Sequence, residues 1–387
     1  MVLSKKSAAC LAFVLLIAST VAAASQVERI SGMVIGCVGC NEFNLLFIRD
    51  PLFTYTVYPL PPDLPDKDKR KLDRVYYPRT RENLVNTYDI IIFDDARIQH
   101  FSTRQIHDLD YGFREGGMSA VIAPVIMWSY VIQPTILNDL VPISEKGSLR
   151  YGAYYVAFRR ERDPVFLPFV DLGIEKHAGS QESEIVAKQG ATVWADIRPR
   201  QTPWLVSWTP GGGNPGMLWV LAHRFDDWWL EDNNPYAPDV ATNLILYSMG
   251  RPLIADIHAR REARLMFVSF HMQKSIILSM IEWADSFGAN TLALSDRLAS
   301  LDVGMEEAVD SYLEQDYSAT ITFLQSISPA VKEIARDVVR LKDEALAWVY
   351  MAEWLAVSGT SMVCGFVLWT LMVRRRAYRK VSTTRFM

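Results

Sequence analysis

The chain has 387 residues, with 40 Lys and Arg against 44 Asp and Glu and a formal net charge of -4. Charges of both signs are interspersed, and no basic face or basic-aromatic array stands out ahead of Arg374, which argues against nucleic acid as a partner. Length and apolar content are enough for one sizeable domain plus a smaller one.

Lys5 and Lys6 precede an apolar stretch, Ala8 to Ala18, and small residues follow at Val21, Ala22, Ala23, Ala24 and Ser25. A basic head, a short apolar run and an A-x-A site read as a secretory signal peptide over 1-24, with a short uncleaved anchor helix as the alternative. Met33 to Val38 reads as a first buried strand ending in Gly and Cys. Cys37 and Cys40 follow in a C-x-x-C spacing. In an oxidising compartment they form a candidate disulfide. A redox pair is a second reading, and zinc a weak one, because no second Cys pair or His lies near.

Leu45 to Ile48 suits a brief helix and Phe53 to Tyr58 a second extended run, while Pro59 to Arg70 reads as a surface loop. Tyr88 to Asp95 is a β-branched run closed by acids, the pattern of a buried parallel strand. Ser102 can cap a helix over Thr103 to Arg114, which Gly116-Gly117 ends, and Ser119 to Ile122 is the next strand. Strand, helix, strand makes a βαβ unit and implies a parallel sheet. Further strands are read at Tyr151 to Phe158, Thr192 to Ile197 and Leu205 to Trp208, with a glycine-rich turn at Gly211 leading to Met217–Leu221 as a hairpin.

The segments "YDIIIFDD", "FREGG" and "SAVIAP", then Gly211 to Gly216 leading into "MLWVLAHRFDDWW" and "ATNLILYSMGR", resemble class I glutamine amidotransferase-like domains over roughly Met33 to Arg251. The resemblance implies a flavodoxin-like α/β fold with a parallel sheet, here with an added β-hairpin region, over 25-255. It also implies a nucleophilic Cys on a sharp turn, backed by His and Glu. The corresponding turn, Ala123 to Ser129, holds no Cys, and no glycine sits beside Ser129 to permit a strained elbow. The domain therefore reads as catalytically degenerate.

Ligands of open parallel sheets sit at the carboxyl ends of the strands. The candidate crevice is Cys37, Cys40, Asn41, Asp94, Asp95, Arg97, Trp128, His223, Asp226 and Asp227. The competing reading is that strand-end acids cap helices and satisfy loop amides. Asp94, Asp95, Asp226 and Asp227 carry the oxygen ligands a hard cation needs, but their spacing matches no known loop motif, so no metal or other cofactor is expected. Eleven Trp suggest sugar binding, yet several fall in apolar strand patterns where packing explains them.

From Asp256 helices take over. Ala259 to Phe287 carries an apolar stripe at Leu265, Val268, Ile276, Met280 and Trp283, read as core. Gly304 to Ser326 reads as a second helix, and Ser328-Pro329 as the start of a third. The result is a helical stalk over 256-347. The third helix runs into Trp354 to Val373, twenty residues without a charge, followed by Arg374, Arg375 and Arg376. That length crosses a bilayer core of roughly 30 Å, giving a transmembrane helix over 348-373 and a basic cytoplasmic tail over 374-387. Ser361 and Gly365 are spaced for close helix approach.

The expectation is thus a single-pass membrane protein with its N-terminus outside, the bilayer as one partner and a surface protein as another. Its function is read as non-catalytic binding or scaffolding. One alternative is a hydrolase using Ser129 or His223, or a thiol oxidoreductase using Cys37 and Cys40. Another is a ligand sensor acting through a cytoplasmic partner.

Overall fold

In the computed structural model, the residues that can be described are 28–36, 49–59, 65–94, 101–124, 127–161, 163–222, 224–225 and 227–383. They include a nine-stranded sheet in the order β2-β1-β3-β4-β9-β8-β7-β5-β6. The strands are β1 (Ile30–Gly36), β2 (Phe53–Pro59), β3 (Ile90–Asp94), β4 (Ser119–Ile122), β5 (Ile143–Phe158), β6 (Ala178–Ala187), β7 (Thr192–Arg198), β8 (Thr202–Trp208) and β9 (Leu218–Leu221). Pairings from β2 through β1, β3 and β4 to β9 are parallel, and those from β9 through β8, β7 and β5 to β6 are antiparallel. The molecule is therefore mixed α/β, and the hairpin expected around Gly211 extends the sheet.

The parallel half follows from its composition. Every residue of β3, β4 and β9 is buried, as strands covered on both faces require. The connecting helices are α1 (Asp66–Tyr76), α2 (Arg81–Thr87) and α3 (Thr103–Arg114). Ser102 caps α3 as expected: its Oγ accepts from the Gln105 amide, and Gln105 Oε1 accepts from the Ser102 amide at 2.9 Å. Helix α1 corrects the expected loop, because Asp66 to Arg70 are helical. Its apolar residues, Leu72, Val75 and Tyr76, come only after a charged first half, and an Asp68–Lys71 pair at 2.7 Å supports it along the surface.

The antiparallel half is longer than expected. β5 begins at Ile143, and its polar first half pairs with β6, a strand of mostly polar residues at the sheet edge. Polar edge strands resist pairing with other chains, and they also lack the apolar signal that would reveal them. Short helices α4 (Leu137–Leu140) and α5 (Leu167–Val170) lie within this half of the sequence. Trp194, Trp204, Trp219, Trp228 and Trp229 are all buried there, with the Trp204 and Trp229 rings stacked at 5.4 Å. These tryptophans are core.

Helix α6 (Ala237–Ser248) returns after β9, and three long helices follow: α7 (Ile257–Ser286), α8 (Leu292–Leu313) and α9 (Tyr317–Thr383). The chain clusters into two compact units, Met1–Val268 with Glu307–Thr322, and Ser269–Glu306 with Phe323–Met387. In the second unit, Arg297 on α8 pairs with Glu333 and Asp337 on α9, and Lys274 on α7 with Asp302 on α8.

Three helical expectations are corrected. First, the break between the second and third helices lies at Gln315, not at Ser328. Gln315 takes a left-handed φ of 63°, and the Asp316 side chain accepts from the Ala319 amide at 2.9 Å, which starts α9. Second, Pro329 lies inside α9. Its ring removes one intrahelical hydrogen bond, but the buried face of Leu324, Val331, Ile334 and Val338 continues on both sides of it. Third, the stripe assigned to the core of α7 is not its buried face: Leu265 is 37% and Ile276 56% exposed, and Val268, Met280 and Trp283 are half-buried. The buried face is Ala263, Phe267, Phe270, Ile277, Ile281 and Ala284.

Among the described residues one helix, spanning Tyr317–Tyr378, is long and apolar enough to cross a membrane. The stretch Trp354 to Val373 within α9 is exposed, apart from a half-buried Thr370, and so fits a membrane anchor. The expected signal peptide lies outside the described residues.

Candidate functional site

Because β1, β3, β4 and β9 run parallel and adjacent, their C-terminal ends form one edge. Asp94 is the last residue of β3 and is fully buried. It stands in register with Gly36 at the end of β1. A Cβ on Gly36 would lie 1.8 Å from the Asp94 carbonyl oxygen, so only glycine allows this approach. After β4 the Ala123 amide donates to the Phe93 carbonyl at 3.0 Å, and a π-helical turn, Trp128–Ile132, follows. Trp128 is buried in this turn and Ser129 is exposed on it. The residue before it, Met127, has ordinary right-handed helical backbone. After β9, Asp227 opens a short 3-10 helix whose Trp228 and Trp229 enter the aromatic core.

Of the residues expected at the crevice, Asp94, Trp128 and Asp227 therefore belong to this edge and its loops. Cys37, Cys40, Asn41, Asp95, Arg97, His223 and Asp226 lie outside the described residues, and so does the Cys37–Cys40 pairing. Among the described residues no group of His, Cys, Asp or Glu is placed to hold a metal ion.

The strongest electrostatic feature is elsewhere and was not anticipated. Arg260, on the first turn of α7, is 1% exposed and donates to Asp50, Asp239 and, at 3.0 Å, Thr242. One turn on, buried Arg264 donates to both oxygens of Glu231, at 2.9 and 3.3 Å, and to Asp239 at 3.4 Å. Asp50 Oδ1 accepts from the Leu52 amide at 3.0 Å. Burial by itself would lower the pKa of Arg260, but the neighbouring Asp50 and Asp239 carboxylates reverse that and hold it well above its ordinary value. The Arg260 guanidinium also lies 5.6 Å from the centre of the Tyr312 ring. Beside the cluster, buried Asn243 of α6 donates to the Val165 carbonyl at 3.1 Å and accepts from the Ile254 amide at 2.9 Å. The only signal for this cluster in the sequence is the i, i+4 spacing of Arg260 and Arg264.

No family model matches the chain, and no curated protein matches it. Solved structures similar to it include two cytoplasmic proteins from Salmonella typhimurium, 12% and 13% identical, both with a TM-score of 0.40, each match covering 57% of this chain and 99% of the other. The N-terminal domain of mmIFT52 is 12% identical with a TM-score of 0.37, over 58% of this chain and 98% of that domain.

Proposed function

We propose that this protein is a non-catalytic binding or scaffold subunit, anchored in the cell membrane by α9, whose α/β unit is a catalytically degenerate amidotransferase-like domain. The observation that carries the reading is the course of α9. Its first turn, at Tyr317, lies against the buried Arg260, and the same uninterrupted helix reaches the exposed apolar stretch ending at Val373. A folded unit tied to an anchor in this way is displayed at a membrane surface.

The parallel half of the sheet, taken in chain order, has the order 2-1-3-4-5, which supports a flavodoxin-like reading. The turn after β4 offers Ser129 in a π-helical turn without a left-handed φ, where an amidotransferase needs a strained Cys, which supports the non-catalytic reading. Arg374, Arg375 and Arg376 after the span support a cytoplasmic C-terminus with the α/β unit outside.

The test is gentle purification of the full-length protein from its native membranes, with mass spectrometry of what accompanies it. A stoichiometric envelope partner that is lost on mutation of the exposed Met272 and Ile276 positions of α7 supports the reading. Recovery as a lone monomer overturns it.

A further inference from the structure

Within the second unit, α7 and α8 form a hairpin that ends in a well-defined turn. Gly288 takes a left-handed φ of 78°, and the Ala289 amide donates to the Ala284 carbonyl at 3.2 Å, which closes α7. The Thr291 hydroxyl donates to Asp285 at 3.4 Å just ahead of α8. This turn presents two apolar side chains to the outside: Phe287 is 46% and Leu292 72% exposed. The Phe287 ring lies against Trp283, with 4.5 Å between centroids, so its position is set by a neighbour on its own helix.

The turn lies toward the anchor. Gly304 of α8 faces Phe323 and Ile327 of α9, while Arg297, earlier on α8, pairs with Glu333 and Asp337 further along α9, so the two helices run antiparallel. The burial of α9 marks where the hairpin ends: Ala345 is 8% exposed, whereas Ala347, Trp348 and Tyr350 are exposed. From Ala345 to Val373 the sequence carries a single charge, Glu353. As a helix these 29 residues rise about 43 Å, and a bilayer with its headgroups is about 40–45 Å thick. With Arg374 at the inner face, Ala345 and the turn beside it stand at the outer headgroup layer. Trp348 and Tyr350 fall in the same layer, where amphipathic aromatic rings are favoured.

Single exposed apolar side chains are ordinary on a protein surface, but these two share one turn, level with the start of a membrane-length run on the adjoining helix. We infer that the α7–α8 turn is a second membrane contact, in which Phe287 and Leu292 enter the outer headgroup layer of the bilayer that α9 crosses. The contact is with the uncharged part of the lipid. Residues 282–292 hold two acids, Glu282 and Asp285, and no base, so the turn lacks the basic cluster that anionic headgroups attract. The inference rests on the anchor reading of α9 and goes beyond it, since a lone span leaves the helical unit free to tilt and a second contact fixes it.

The test uses the full-length protein reconstituted in phosphatidylcholine vesicles, with the photoreactive residue p-benzoylphenylalanine placed singly at the Phe287, Leu292, Val303 and Met362 positions. Mass spectrometry after irradiation reads phospholipid adducts. Val303 is exposed on α8 but about 16 Å along the helix from Leu292, and Met362 lies in the apolar stretch of α9. Adducts at Phe287, Leu292 and Met362, and none at Val303, are expected. Thermal melting establishes that each variant is folded, and the more exposed Leu292 position carries the test if the Phe287 variant is not. An adduct at Met362 with none at either turn position, or equal adducts at Val303, overturns the second contact and leaves the anchor standing. No adduct at Met362 overturns the anchor, and this inference with it. A crosslink from the turn to another copy of the chain in place of lipid overturns it in favour of self-association.

Discussion

Arg260 and Asp50, 210 positions apart in the chain, form an ion pair in which neither side chain is more than 1% exposed. Asp239 completes the arrangement from α6. Removing one partner of such a cluster is costly because the others remain buried and charged. Arg260→Met is expected to destabilise the protein by about 3–5 kcal/mol, read as a fall in the urea midpoint. Replacing the exposed Arg340, which makes only surface pairs with Asp337 and Glu344, is expected to change it by less than about 1 kcal/mol.

Asp163 gives a pH dependence of known sign. It is buried, and burial raises its pKa, although its carboxylate accepts from the Phe166 and Val165 amides, which lowers it in part. The folded state thus holds the proton more tightly than the unfolded chain. Its contribution is most favourable below the ordinary carboxylate range and is lost as pH rises through the folded value. Asp163→Asn keeps the acceptor and does not titrate. The stability of the wild type relative to this variant is expected to fall as pH rises above the ordinary carboxylate range, about pH 4, in urea melts, by the sign above. A difference that stays flat or rises would contradict the assignment.

Gly36 tests the close approach of β1 and β3. In Gly36→Ala the new methyl meets the Asp94 backbone, which cannot rotate away as a side chain would. A loss of about 1–3 kcal/mol is expected, typical of an overpacked core, with lowered thermal melting. Ala at exposed Gly359 inside α9, where a Cβ meets nothing within 4 Å, is expected not to lower the melt.

Cys364 reports on the span. It is a free, exposed cysteine near the centre of the apolar stretch of α9. With the helix inserted, a membrane-impermeant maleimide is expected to leave Cys364 unlabelled in intact vesicles and to label it after detergent denaturation. Val363→Arg is expected to disfavour insertion by about 2.5–3.5 kcal/mol and to raise the fraction released by alkaline extraction.

Sequence legibility varied with the physics of each segment. β3 was readable because a strand buried on both faces must be a continuous apolar run, and α3 because Ser102 and Gln105 complete a local capping box. Helix α1 and strand β6 were not readable, since α1 opens on six consecutive charged residues and the buried Glu182 and Ser183 of β6 interrupt any apolar alternation. At the candidate crevice, three expected residues fall on or beside the strand-end edge, but types of residue along the chain say nothing about which carboxylates end up buried.

Helix α7 shows the limit most sharply. Its apolar residues occupy more than one face, and the stripe through Leu265 and Ile276 looks like core. The face that is buried is the one in phase with Arg260 and Arg264, because Asp50, Asp239 and Glu231 are there to neutralise it. A burial rule based on hydropathy excludes arginine, and only partners brought from distant positions reverse it.

The sequence by itself determined the features that depend on neighbours a few residues away: the parallel βαβ run, the capped α3, the glycine turn after β8 and an uncharged span long enough for a bilayer. The tertiary structure decided the features that depend on charges and surfaces meeting across the fold. It placed the antiparallel strands in the same sheet, moved the helical break from Pro329 to Gln315, and buried two arginines. It also gathered Asp50, Glu231 and Asp239 around them from distant positions in the chain.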